Sequence, residues 1–441
     1  MVGGFDSGGD HLLLWLYLAP RGRGIAAIYQ GGALPFLTRD RAHPDLYSHK
    51  VYTGDCYAMT QPNSPDNEYA GRQEIRVADV SSAEEIEALR VGIDSVDEEI
   101  VRLLDRRAWM ARRIGEIKHH RGLAAYAPAR ERAVLDRVAA LSEGEFPGRG
   151  LQAVFREIIS SSISLEGRLK VAYLGPEATF THEAALRSFG SSIELEPHAT
   201  VAEVFARVER GEVQHGVVPV ENSMEGAVTH TLDELMNSPL KICGEVYLPV
   251  SQNLISSEPS IERVNLVCSH PMALAQAASW LRRELPSASL EEVDSTAEAA
   301  RRASVEPGVA AVGSVLAAGA HGLTVLMHNI QDARANTTRF IVLGREWAAR
   351  TGKDKTSVVF SVKDRPGVLK DALSAFAEEG INLTRIESRP SRKRAWTYVF
   401  FADFLGHPEE ERVKSALESL EEHCPYVGLV GAYPEVSPEL A

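Results

Sequence analysis

Cysteine is scarce in this 441-residue chain: Cys56, Cys243, Cys268 and Cys424 are scattered, with no CxxC pair. That excludes a disulfide scaffold and leaves no metal-ligand spacing; neither metal nor cofactor is expected, and the usage fits a reducing, cytoplasmic compartment. Cations are also in short supply, 47 Lys and Arg against 61 Asp and Glu, for a formal charge of −14. Such a balance excludes a nucleic-acid or anionic-membrane surface, and any small anionic ligand must be held by a local cluster. Long apolar runs are missing too. LLLWLYLA at 12–19 is too short to span a bilayer, and Asp6 and Asp10 precede it where a signal peptide carries basic residues.

With 44% hydrophobic and 24% charged residues, the chain can fill two or three cores. The first 80 residues form an extension of unknown role, expected to be largely disordered. Thr53 to Gly71 is rich in Asn, Pro, Asp and Gly and reads as linker, and Met59 is a candidate alternative start.

From Ser81 the pattern changes. SSAEE offers a helix cap followed by acids, and only Gly92 and Gly115 interrupt the run before Gly122. This predicts roughly 38 helical residues, a rod of about 57 Å. Along it Ile86, Leu89, Ile93, Val96, Ile100, Leu103, Arg107, Met110, Ile114 and Ile117 are spaced alternately three and four apart. That is a heptad seam with one arginine in it. A buried guanidinium needs an anion, and Arg90, Lys118 and Arg130 lie near the same seam, so an anion pocket inside a helical bundle is expected. ARERAVLDRVAALSEG and GLQAVFREIISSSISLEGRL read as two shorter helices. One long and two short helices make an open bundle, completed by a second copy as a homo-oligomer, at least a dimer.

A second region begins near Lys170. KVAYLGPEATFTHEAALRSFG reads as strand, turn and helix, with Thr179 or Thr181 capping the helix so that its amides face whatever lies above the turn. HGVVPVENS, LVCSH, VAAVGS and TRFIVLG read as further strands separated by helical stretches, which predicts an α/β domain with a mainly parallel sheet. The strands end in small polar residues, among them Glu221, Asn222, Ser223, Ser269 and His270, and strand ends of this class line one cleft. The tail from Lys355 alternates as βαββαβ, an α+β module.

These residues carry a resemblance. The helical segment 81–168 resembles the all-helical class of chorismate mutase, and 169–348 resembles prephenate dehydratase through LGPEATFTHEAA, VVPVENS, CSHP and NTTRF. The tail 355–441 resembles an ACT regulatory domain through RPGVL and ESRP. The whole is similar to the bifunctional P-protein family of phenylalanine biosynthesis. The resemblance implies a dehydratase fold of two lobes of the periplasmic-binding-protein type, with chorismate and prephenate as substrates and phenylalanine as feedback effector. It further implies that Arg107 and Arg90, the latter from the partner protomer, bind carboxylates. Arg130 and Ser162 would also hold the substrate, Lys118 and Glu166 face the ether oxygen, and Glu131 takes the ring hydroxyl.

For the dehydratase the resemblance implies Thr338 at the departing hydroxyl, Arg339 or helix-end amides at the carboxylate, and Glu221 sharing the proton transfer. Thr179, Thr181, Asn222, Ser223 and Ser269 would line the cleft. In the tail it implies effector contacts from Gly367, Val368, Leu369, Glu387, Ser388, Arg389 and Pro390. The sequence departs from the family pattern at Ala127, Glu166, Ala178 and Met272. Two alternatives stay open at this point: a dehydratase that acts on arogenate, and a non-catalytic amino-acid sensor.

Overall fold

The computed structural model describes residues 16–18, 25–29, 32–33, 82–121, 126–141, 144–167, 169–333, 335–363, 365–390 and 398–437. The expected linker at 53–71 and Met59 lie outside them. Within the first 80 positions it describes three short antiparallel strands, β1 (Leu16–Leu18), β2 (Ile25–Tyr29) and β3 (Gly32–Ala33).

Helix α1 (Ser82–Arg121) runs 40 residues, with Glu84 and Glu85 in its first turn, where acids suit the helix dipole. The nine apolar seam positions are each between 43 and 59% exposed. Arg107 differs from them. It shares a face with Ala111, Gly115 and Lys118, and this face meets α3 (Gly148–Glu166). Gly115 is the point of closest approach: a Cβ there would lie 2.7 Å from the Cα of Glu166. Helix α2 (Pro128–Leu141) packs beside α3. Leu135, Ile159 and Ile163 from these two helices, with Tyr126 before them, enter a core with Val171, Tyr173, Phe189 and Phe340. Each fully buried side chain of this kind contributes about 1.5–3 kcal/mol, so α2 and α3 are fastened to the α/β region behind them.

That region has two lobes. The first contains β4 (Lys170–Leu174), α4 (Phe180–Phe189), β5 (Glu194–His198), α5 (Val201–Arg210), β6 (His215–Asn222), β7 (Gly226–Ala227), α6 (Thr229–Leu235) and β8 (Lys241–Pro249). The chain then crosses to β9 (Asn253–Ser256), β10 (Leu266–Ser269), α7 (Pro271–Gln276), α8 (Ala278–Glu284), β11 (Ser289–Glu292), α9 (Thr296–Val305), β12 (Val309–Gly313), α10 (Val315–Ala320) and β13 (Thr324–Met327). It returns as β14 (Thr337–Gly344), which inserts between β6 and β8. In the second lobe the sheet order is β11-β10-β12-β9-β13. Strands β4, β5 and β6 are mutually parallel, as are β10, β11 and β12, so the carboxyl ends of each trio lie along one edge.

The tail forms β15 (Asp354–Ser361), α11 (Val368–Glu378), β16 (Leu383–Pro390), β17 (Tyr398–Leu405), α12 (Glu411–His423) and β18 (Tyr426–Pro434). Its strand order, β16-β17-β15-β18, is that of a ferredoxin-like βαββαβ unit. Both helices pack on one face through Val358, Phe360, Phe376, Phe404 and Leu420. The other face, with Val359, Phe401, Val430 and Tyr433, packs on the first lobe. One pairing, Gly431 with Ile242, joins β18 to β8 in parallel and makes a single sheet across both domains. Only glycine fits at this joint, because a Cβ on residue 431 would sit 2.3 Å from the Ile242 carbonyl oxygen.

Candidate functional site

The helical pocket is built where α1 crosses α3. Ser162 and Glu166 lie one turn apart on α3, and Arg107 and Lys118 lie three turns apart on α1. Arg107 Nη1 donates to the Ile158 carbonyl at 3.3 Å and to Ser162 Oγ, which itself donates to Ile158 O at 2.6 Å. Lys118 Nζ pairs with Glu166 Oε2 at 2.9 Å, and the two side chains are 23 and 10% exposed. Burial pulls the Arg107 guanidinium below its ordinary pKa, with Glu166 opposing and neighbouring Arg130 reinforcing the fall. The structure therefore gathers Arg107, Lys118, Arg130, Ser162 and Glu166. Arg90 lies at an exposed position on α1 with a 3.4 Å ion pair to Glu87. Glu131, expected at a ring hydroxyl, follows Arg130 in the first turn of α2. Its charged neighbour is Arg156, and burial raises its carboxyl to about 7. Burial, with the same carboxylate adding to it, also raises the pKa of Tyr126, whose ring centroid lies 4.6 Å from that of Phe189 and 4.9 Å from that of His215.

The second cluster forms at the carboxyl ends of β4 and β6 and the start of β14. Thr338 pairs with Asn222 across the sheet, and Asn222 Nδ2 donates to Thr338 Oγ1 at 2.9 Å and to Asn336 Oδ1 at 2.8 Å. With its oxygen accepting that bond, the Thr338 hydroxyl proton is left to donate elsewhere. Ser223 Oγ receives the Thr337 amide at 3.0 Å and donates to the Ala335 carbonyl, which fixes the turn. Thr179 caps α4, accepting from the His182 amide at 3.3 Å, and the buried Thr181 follows it. Ser314 of the second lobe reaches the Ala178 carbonyl at 3.4 Å, so the lobes meet at this edge.

Three expected contacts are corrected. Strand alternation turns Arg339 away from Thr338, into a buried cluster where it donates to Glu245 Oε2 at 2.9 Å, to Tyr433 Oη at 2.8 Å and to Asp403. Burial opposes its charge, but Asp403, Tyr433 and Glu245 together hold its pKa well above the ordinary value. A guanidinium so occupied has no free fork for a substrate carboxylate. Glu221 pairs with Arg339 in register and faces the same way, so it is separated from Thr338 by the sheet. Ser269 is fully buried and donates to the Val312 carbonyl at 2.6 Å inside its lobe.

In the tail, Gly367 takes the left-handed conformation (φ 82°) that starts α11, followed by buried Val368 and partly buried Leu369. ESRP lies on β16. Ser388 pairs with Phe400, which packs against the helix-side core, whereas Glu387 pairs with Phe401 on the face toward the first lobe. Pro390 ends the strand at an exposed position. Arg389 is corrected as an effector contact, since its Nη2 donates to Asp233 of α6 at 3.1 Å. Sequence reasoning missed Asn336, although NTTRF contains it: it is 3% exposed and its Nδ2 has no hydrogen-bond partner among the described residues. It also missed Arg385, one turn of the pleat ahead of ESRP.

A cationic pocket in a helical bundle, a polar cleft between two α/β lobes and a ferredoxin-like module behind them define a multifunctional enzyme of small carboxylate metabolism with a regulatory tail. Family models match in that order: Chorismate mutase type II over residues 89–167, Prephenate dehydratase over 171–348 and ACT domain over 356–422. The bifunctional chorismate mutase/prephenate dehydratase of Aquifex aeolicus is 49% identical over 356 residues, 80% of this chain and 98% of that one. The protein of the same name from Stutzerimonas stutzeri is 41% identical over 362 residues, 81% of this chain and 99% of the relative. Among solved structures, the prephenate dehydratase of Arthrobacter aurescens in complex with L-Phe is similar at TM-score 0.57 and 34% identity, over 61% of this chain and 91% of that one. The chain belongs to the bifunctional chorismate mutase/prephenate dehydratase family.

Proposed function

We propose that the protein rearranges chorismate to prephenate and converts prephenate to phenylpyruvate, under feedback by phenylalanine. The observation that carries this reading is the presence of two separate polar constellations, Arg107–Ser162 with Lys118–Glu166, and Asn222–Thr338, on one chain of this family. The boundaries we propose are 81–168 for the mutase, 169–348 for the dehydratase and 355–441 for the regulatory module.

The mutase step is a pericyclic shift that needs neither nucleophile nor acid. The pocket acts by holding the compact substrate conformer and stabilising charge on the breaking ether. Arg107 and Arg130 clamp carboxylates, Ser162 supports Arg107, and Lys118 meets the ether oxygen with Glu166 beside it. The exposed seam of α1 is the surface a second copy covers, and that copy's Arg90 completes the clamp.

In the dehydratase step the ring hydroxyl leaves with its bonding pair and becomes water by taking a proton passed from solvent through the Thr338 hydroxyl, and the ring carboxylate leaves as CO2. The electrons of that C–C bond complete the aromatic ring. Thr338, held by Asn222, donates a hydrogen bond to the departing hydroxyl, and the amides of α4 receive the carboxylate that stays. Phenylalanine binds where α11 starts, near Ser388. The test is turnover of chorismate, prephenate and arogenate by one purified sample, with and without phenylalanine. Turnover of chorismate and prephenate, with phenylalanine inhibiting the second, supports the reading. Turnover of arogenate in place of prephenate, or of neither, would overturn it.

A further inference from the structure

Strand β16 belongs to the effector module, yet Arg385 on it reaches into the dehydratase. The Arg385 side chain is 9% exposed, and its Nε lies 3.0 Å from Glu221 Oε2. The two are misaligned: Nε and Nη2 of Arg385 are buried without a hydrogen-bond partner among the described residues. Around them is a set of paired charges. Arg339, Lys355 and Arg385 face Glu221, Glu245 and Asp403, three against three, with Arg339 Nη1 3.9 Å from Glu221 and Lys355 Nζ 2.7 Å from Glu245. Ser357 and Tyr433 tie Asp403 and Arg339 into the same group. Dehydratase strands supply Glu221, Glu245 and Arg339, and the effector module supplies the rest.

The position of this cluster in the sheet matters most. Glu221 directly precedes Asn222, and Thr338 directly precedes Arg339. The pairs Asn222–Thr338 and Glu221–Arg339 are neighbouring rungs of one ladder. The first pair projects to the cleft and the second to the effector module, because successive strand residues alternate faces. A shift of the charged rung is therefore transmitted through two peptide units to the polar one.

We infer that Arg385 is a positioning residue for the dehydratase site: through Glu221 it sets the placement of Asn222 and Thr338, and effector binding beside β16 acts on catalysis through this contact. The inference rests on the function proposed above and deepens it. Its partially made contact is a device with room to move, since realigning Arg385 by a small motion of β16 would satisfy donors that are now orphaned.

The experiment uses the full chain, with Arg385→Ala, Arg385→Lys, Glu221→Gln and the double variant. Dehydratase kcat and KM, mutase rate, and the activity left at saturating phenylalanine are measured for each. Couplings of this kind are typically 5–150-fold, so Arg385→Ala should lower dehydratase kcat by about tenfold, leave KM and mutase rate within about twofold, and shrink the inhibition. Arg385→Lys should recover part of both losses. Glu221→Gln, which keeps the side-chain volume and guards against a folding failure in the alanine variant, should reproduce the effect. The double variant should then be no worse than either single. Variants with kcat and inhibition unchanged, or losses that simply multiply in the double variant, overturn the inference. A parent chain that does not turn over prephenate sinks the functional reading first, before any variant is compared.

Discussion

Replacing Arg339 by leucine separates the two roles available to this residue. If it anchored a substrate carboxylate, its loss would raise KM and leave the fold intact. In the structure it is 5% exposed and holds Glu245 and Asp403, the first of which has a fully buried side chain. Removing the cation leaves Glu245 and Asp403, both buried, with an excess of negative charge that only the partly exposed Glu221 shares with solvent. Breaking a buried pair in this way costs about 3–5 kcal/mol. In a unit of this size roughly 2–4 °C of melting temperature accompany each kcal/mol, so the dehydratase–regulatory transition should fall by roughly 6–20 °C. Differential scanning calorimetry of the full chain reads this directly. A leucine variant that melts within about 2 °C of the parent, with KM for prephenate raised by roughly 100-fold, would refute the assignment.

Arg107→Leu should abolish mutase activity while circular dichroism reports an intact helical module and dehydratase turnover persists. Retained mutase activity would make Arg107 an ordinary paired charge. Thr338→Ala should lower dehydratase kcat by about 100-fold or more and spare the mutase, and equal loss of both activities would mean global damage instead. Glu131→Gln tests a titration. Burial raises this carboxyl to about 7 from an ordinary 4.5, so folding favours its neutral form and stability is lost as pH rises between those values. The glutamine variant should match the parent below pH 4.5 and exceed it by on the order of 3 kcal/mol above pH 7, read from urea midpoints; a constant difference across pH would refute the burial argument.

Periodicity carried most of the architecture. The α1 rod, the βαβ alternation and the βαββαβ tail each follow from apolar spacing over runs longer than any competing pattern. Arg107 was legible because it interrupts an apolar helical stripe, where it demands a partner, and Lys118 because it lies beside the same seam, whereas Ser162 and Glu166 followed only from the family resemblance. What sequence could not supply was the direction of a side chain on a strand whose both faces are buried. VVPVENS and TTRF contain polar residues for the cleft and for the interface side by side, and only the register tells Asn222 and Thr338 from Glu221 and Arg339. The partnership of β16 with β6 was equally hidden, since Arg385 and Glu221 stand more than 160 positions apart.

The single pairing of Gly431 with Ile242 has a bearing on how this enzyme is to be freed from feedback. Cutting the chain ahead of Asp354 would remove the one rung that ties β8 to the tail and uncover apolar side chains that Val359, Phe401 and Val430 now shield. A contiguous apolar face exposed in this way recruits other chains, so truncation should yield aggregates in place of an unregulated catalyst. With phenylalanine bound near Ser388 as proposed, substitutions there that keep the tail in place should relieve inhibition without exposing that face.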